Sequence, residues 1–240
     1  MDYNKISLNR LLKFWVRRAE EQFVIVFGVV IVFYLYAAFL VSSDRVLHRI
    51  PESFPLILAL VGVTMIWMYT LSTITSVAGI AISFGSTKKE MYIGQMTEFI
   101  IYLTQTAIIY FLLLLLFGEL SEPLYIFVGV AFIGGSLFLY GLNQIGGMIN
   151  IKYGTKAFAF YIAFTAIIIA ALIILSIFIY NTGDLGSMFS FYMGAAPNTL
   201  EGNGAALYTL KPVIIGVGAL VCIVGSGIYY KSLKLFDVNG

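Results

Sequence analysis

Glu98 is the one ionisable side chain set inside an apolar run of this chain. Gln95 stands three residues before it and Gln105 seven after, so a helix places all three on one face. A carboxylate in such a run is costly, so it has either a task or a partner. Two readings stand. In one, Glu98 relays a proton or ion, or touches a substrate. In the other, it sits near the membrane surface, paired with Lys88, Lys89 or an arginine of the N-terminal stretch. A single shallow carboxylate is thin material for a relay, which favours the paired reading. Further along, Asn143 and Gln144 lie in another apolar run, where they either hydrogen-bond across helices or line a water-filled vestibule.

Other chemistries lack their residues. The sequence has no GxxxxGK[ST] phosphate loop and no HExxH zinc-protease pair. Its single cysteine, Cys222, and single histidine, His48, make no metal-ligating cluster, so no metal site is expected. Ser226, between Gly225 and Gly227, is the only serine that suggests an intramembrane hydrolase. Small residues on such a run are more readily a packing face, as are Ser72, Ser76, Gly79 and Ser83. A net charge of +2 gives no footprint for nucleic acid. The chain is not expected to be an enzyme.

The elements that position these residues follow from composition. Of the 240 residues, 60% are hydrophobic and 11% charged, against about 25% charged in soluble proteins. Lipid must therefore solvate much of the surface. Apolar segments cover roughly 23–41, 55–83, 95–117, 124–147, 157–180 and 212–230, each long enough for the ~20 residues that cross a bilayer as a helix, the second longer and expected to tilt or run out past the membrane. The expectation is an all-α, polytopic membrane protein of six transmembrane helices in a single domain.

Charge orients them. Lys5, Arg10, Lys13, Arg17, Arg18, Lys88, Lys89, Lys152, Lys156, Lys231 and Lys234 fall on one side, and only Arg45, Arg49 and Lys211 on the other. The positive-inside rule makes the first side cytoplasmic, with both termini there. Residues 1–22 form an amphipathic stretch: Leu8, Leu11, Leu12, Trp15, Val16 and Ala19 share one face, and Arg10, Lys13, Arg17, Glu20 and Glu21 the other. It is expected to lie flat at the interface or to rest on a partner protein. Residues 181–211 form an outer loop, apolar from Leu185 to Ala196 and expected to dip back into the membrane.

The inner join between the second and third apolar segments reads Ser83-Phe84-Gly85-Ser86-Thr87-Lys88-Lys89-Glu90-Met91-Tyr92-Ile93-Gly94-Gln95. It is a short basic turn followed by a helix start, with Thr87 as cap and Glu90 three residues on. This segment resembles an "FG.T+KE" pattern in the membrane subunits of bacterial ABC transporters of the ABC-2 type. The six-helix layout, the amphipathic N-terminus and the large loop before the last helix are similar too. The resemblance implies a permease subunit in the bacterial plasma membrane, paired with a second permease subunit as a homo- or heterodimer. Separate ABC ATPase subunits would hold ATP and Mg, which fits the missing phosphate loop. It implies that Phe84, Gly85, Ser86, Thr87, Lys88, Lys89 and Glu90 couple to the ATPase. It also implies that Trp67, Tyr69, Thr73, Phe160 and Phe164 line the path of an amphipathic or hydrophobic substrate such as a peptide, toxin, antibiotic or lipid. Two other readings remain open: a membrane sensor or immunity protein that transports nothing, and a secondary transporter or channel driven by Glu98.

Overall fold

The structure, a computed structural model, describes residues 3–40, 43–72, 87–117, 123–182 and 200–235. Every element there is a helix: α1 (Tyr3–Leu40), α2 (Ser43–Ser72), α3 (Lys88–Phe117), α4 (Pro123–Thr182) and α5 (Leu200–Leu235). Three apolar helical stretches, Lys89–Phe117, Val128–Ile167 and Lys211–Leu233, are long enough to cross a membrane. Much of their apolar surface faces outward within the chain, as with Leu115, Leu116, Leu220 and Ile223. The chain is a membrane protein by that measure, since such a surface needs lipid or protein over it. Hydroxyls in these helices turn inward on their own backbone. Thr97 donates to the Ile93 carbonyl, Thr106 to Tyr102, Thr165 to Tyr161 and Ser232 to Ile228, all at 2.8–2.9 Å.

The chain divides into two compact units, Met1–Ser121 and Glu122–Gly240. Each holds three of the apolar segments read from the sequence.

In the first unit α1, α2 and α3 pack on one another. Phe27 of α1 meets Phe54 of α2 edge-on at 6.0 Å, each a similar distance along the chain from the join at 41–42, so these two helices run antiparallel. Tyr102 of α3 donates to the Gly62 carbonyl of α2 at 3.3 Å. The contacts of Trp15 with Gly94 and of Arg18 and Gln22 with Glu98 advance together along α1 and α3, so those two run parallel.

Two expected boundaries shift here. Residues 1–22 and the apolar run after them are separate elements in the sequence reading, whereas the structure carries one helix from Tyr3 to Leu40. The change from amphipathic to apolar pattern contains no helix breaker, and nothing interrupts the hydrogen-bond ladder. At 38 residues α1 is about 57 Å long, well beyond the ~30 Å hydrocarbon core. The helix α2 begins at Ser43, a full three turns before the apolar run expected at 55, and carries Pro51 and Pro55 within it.

In the second unit α4 is a hairpin. Gly154 has φ 81° and ψ 177°, a conformation closed to residues with a Cβ, and it breaks the 60-residue helix in two. Tyr161 donates to the Leu142 carbonyl at 2.9 Å, and a Cβ on Gly146 would meet Tyr161 and Phe158. Positions 142 and 161, and 146 and 158, thus face each other across a tip near residue 152. The join expected between the fourth and fifth apolar segments lies at this tip.

The first arm of α4 runs parallel to α5 with backbones nearly touching. A Cβ on Gly218 would collide with the Gly134 carbonyl, and one on Gly225 with that of Gly141. Glycine at both heptad-spaced pairs permits this approach. α5 itself starts at Leu200, so residues 200–211, expected in the outer loop, are helical, with Pro212 inside the helix.

Candidate functional site

The polar centre of the first unit is assembled by all three of its helices. From α1 a buried stripe of Trp15, Ala19, Gln22, Val26 and Val30 follows helical spacing, and Trp15 and Gln22 on it meet α3. The face expected for Trp15 and Ala19 is therefore buried, while Lys13, Arg17, Glu20 and Glu21 are exposed as the pattern requires. Arg17 and Glu21 form an exposed i,i+4 pair at 3.0 Å, worth a few tenths of a kcal/mol (~0.3–0.5).

Glu98 lies at the middle of this interface, 5% exposed. Arg18 Nε donates to its Oε1 at 2.7 Å, and Gln22 Nε2 donates to the same oxygen. Tyr69 of α2 lies close enough for its phenol to feel the charges of both Arg18 and Glu98. Of the partners considered from sequence, the arginine of the N-terminal stretch is the one realised, and Lys89 is exposed. The carboxylate is thus neutralised and held by hydrogen bonds, the condition under which a buried charge persists. A carboxylate that already accepts two donors is built to lock α1 onto α3.

Next to this pair Trp15 lies flat against α3. Its indole fills the space a side chain at 94 would need, so Gly94 is a slot for the ring. The indole Nε1 of Trp15 and both amide atoms of Gln95 are buried and without a hydrogen-bond partner among the described residues. Gln105 also has its amide oxygen buried and unpartnered. The shared face read from sequence for Gln95, Glu98 and Gln105 is real, but only Glu98 carries a formed network.

Gln22 and its role are not apparent from the sequence, where it follows Glu20 and Glu21 as part of a polar run. The signal was positional: it continues the Trp15–Ala19 stripe by one step.

The helix start after the second join also has the expected local geometry. The Thr87 backbone N–H donates to Glu90 Oε2 at 2.9 Å, and the Glu90 N–H donates to Thr87 Oγ1 at 3.2 Å. This is a reciprocal capping box. Lys89 projects outward beside it. Phe84, Gly85 and Ser86 of the same segment lie outside the described residues, as does Thr73.

In the second unit Asn143 and Gln144 are both buried, as are Ser136 and Ser226. The Gln144 amide oxygen and the Ser136 hydroxyl have no hydrogen-bond partner among the described residues. Of the residues expected along a substrate path, Trp67 and Tyr69 belong to the first unit, and Tyr69 stands by the Arg18–Glu98 pair. Phe160 and Phe164 belong to the second and are exposed, at 77% and 56%. Comparison with family models, with curated proteins and with solved structures finds no match for this chain.

Proposed function

We propose that this chain is the permease subunit of an ATP-driven exporter of the ABC-2 type. In this reading six helical segments cross a bacterial plasma membrane: the apolar part of α1, then α2, α3, the two arms of α4, and α5. Both termini face the cytoplasm. Two permease subunits pair, and separate ATPase subunits bind from the cytoplasmic side.

The observation that carries the reading is the helix start at Thr87–Glu90. Its reciprocal capping box fixes the first turn of α3, with Lys89 exposed beside it. A rigid, charged helix end continuous with a long apolar helix is suited to pass the motion of a cytoplasmic partner into the membrane. The segment's resemblance to the ABC-2 pattern supplies the partner's identity, and in this reading ATP is hydrolysed by a separate ATPase chain, in keeping with the lack of a phosphate loop in these residues. The occupied state of Glu98 favours this reading over a secondary transporter driven by that carboxylate.

The test is co-purification in mild detergent followed by reconstitution. The expected result is an ABC ATPase retained with this chain and ATP-dependent transport by the two purified subunits alone. Lys88→Glu with Lys89→Glu should detach or uncouple the ATPase and leave the helices folded. Undiminished stimulation of ATPase activity by that variant overturns the coupling role. Cysteine labelling should find position 86 cytoplasmic and position 198 external.

A further inference from the structure

The hairpin tip of α4 and the C-terminal end of α5 bring three lysines to one end of the second unit. Lys152 and Lys156 flank the Gly154 break, and Lys231 is six residues past Gly225, whose backbone abuts Gly141. The first arm and α5 are parallel and in register, which sets Lys231 level with residue 147, about 8 Å along the axis from Lys152, while Lys156 lies just past the break on the second arm. All three are exposed. Among the described residues of the second unit no carboxylate stands with them. The sequence has no acidic residue from 123 to 183 and none from 202 to 236. Tyr153 is 62% exposed at the same tip, with the Lys152 ammonium 5.2 Å from its ring centre. A concentrated positive charge, a protruding phenol and an apolar shaft below it match the profile of an acidic lipid: phosphate above, acyl chains beneath.

We propose that this end of the second unit is a binding site for the headgroup of an anionic phospholipid, with Lys152, Lys156 and Lys231 holding the phosphate and Tyr153 seated at the headgroup level. The site rests on the membrane-spanning reading of the chain and not on ATP-driven transport, so loss of the transport reading leaves it standing. Each lysine near an anionic surface strengthens attraction by about fivefold. The contacts are solvent-exposed, so salt screens them.

The full chain is reconstituted in nanodiscs of mixed phosphatidylglycerol and phosphatidylcholine, and the lipid retained on extraction into mild detergent is quantified. The wild-type chain should retain phosphatidylglycerol well above its share of the bilayer. Lys152→Gln/Lys156→Gln/Lys231→Gln should lose that enrichment by about tenfold or more, and the matching arginine triple should keep it. Loss of lysines can disturb insertion, so a photoreactive phosphatidylglycerol is also cross-linked to the wild-type chain. Its label should map to peptides around 150–156 and 229–233. Labelling confined to other peptides overturns the site. So does unchanged enrichment in the glutamine triple, including the case where that triple is merely less stable, which would mean the lysines only offset helix dipoles. Inorganic phosphate at millimolar concentration should not displace the lipid. Equal binding of free phosphate overturns the lipid as its source. Loss of an acidic protein partner with lipid enrichment intact overturns the site in favour of that partner.

Discussion

Arg18 of α1 and Glu98 of α3 are 80 residues apart in sequence and 2.7 Å apart in space, with Gln22 donating to the same carboxylate oxygen. The pair is mostly withdrawn from water, with side-chain exposures of 20% and 7%. Charge at this depth is stable only while both members remain. Glu98→Gln should lower stability by about 3 kcal/mol, and Arg18→Met by a similar amount, the lower end for breaking a buried pair because Arg18 keeps some water contact. The double variant should lose less than either single change. The site then holds no charge, and a glutamine at 98 still accepts from Gln22. A double-mutant cycle on thermal unfolding in detergent measures the coupling. A cycle with no coupling would leave the ion pair without an energetic role.

The slot that Gly94 leaves for Trp15 makes a second, sharper prediction. A methyl at 94 would overlap the indole, so Gly94→Ala must displace the ring or push α1 off α3. The expected loss is about 1–3 kcal/mol, in the range for overpacking a core. Trp15 emission, read in a Trp67→Phe background, should shift to the red as the buried indole gains water. Gly28, on the same helix, has open space where its Cβ would be. Gly28→Ala should leave stability equal or slightly higher. Identical behaviour of the two alanine variants would place Trp15 elsewhere.

These residues show what was legible in the sequence. The apolar runs, the capping box at Thr87 and Glu90, and the shared face of Gln95, Glu98 and Gln105 follow from local pattern, and local pattern survives folding. Arg18 was legible as one member of a set: an arginine of the N-terminal stretch, Lys88 or Lys89 had suitable charge. Selecting among them needs the register between α1 and α3, which is a tertiary quantity. Gln22 was hidden because polarity reads as exposure unless the buried stripe is followed through it. Helix limits were less legible still. Amphipathic and apolar patterns both support a helix, so their junction near residue 22 gives no stop signal, and α1 runs on to Leu40. The proline-containing stretch before 55 reads as a loop, yet Pro51 lies inside α2, eight residues past Ser43.

Gly225 and Gly227 are two residues apart on α5 and should respond oppositely to the same change. A Cβ at 225 would strike the Gly141 carbonyl, while one at 227 meets nothing within 4 Å. Gly225→Ala should cost about 1–3 kcal/mol by forcing the two backbones apart. Gly227→Ala should gain up to about 1 kcal/mol from helix propensity alone. Thermal melts of the two variants in one detergent decide it. Equal responses would mean that α5 does not lie against the first arm of α4 with this face.

The hairpin of α4 gives the last prediction, because its turn rests on one backbone conformation. At φ 81° and ψ 177° Gly154 occupies a region that is essentially closed to other residues, and there is open space around its missing Cβ. Gly154→Ala therefore tests backbone strain without a steric clash, and should cost about 1–3 kcal/mol. Tyr161→Phe removes the hydrogen bond to the Leu142 carbonyl that ties the arms together, at about 0.5–1.5 kcal/mol. Both changes act on closure of the same hairpin, so they should couple rather than add. An alanine at 154 also permits the helix to run straight through. Its 60 residues would then reach about 90 Å, far longer than any bilayer-crossing segment. Cysteine pairs at 146 and 158 report on this directly: cross-linking should be efficient with Gly154 and reduced with alanine there. Undiminished cross-linking together with unchanged stability would show that the arms, and not Gly154, determine the fold-back.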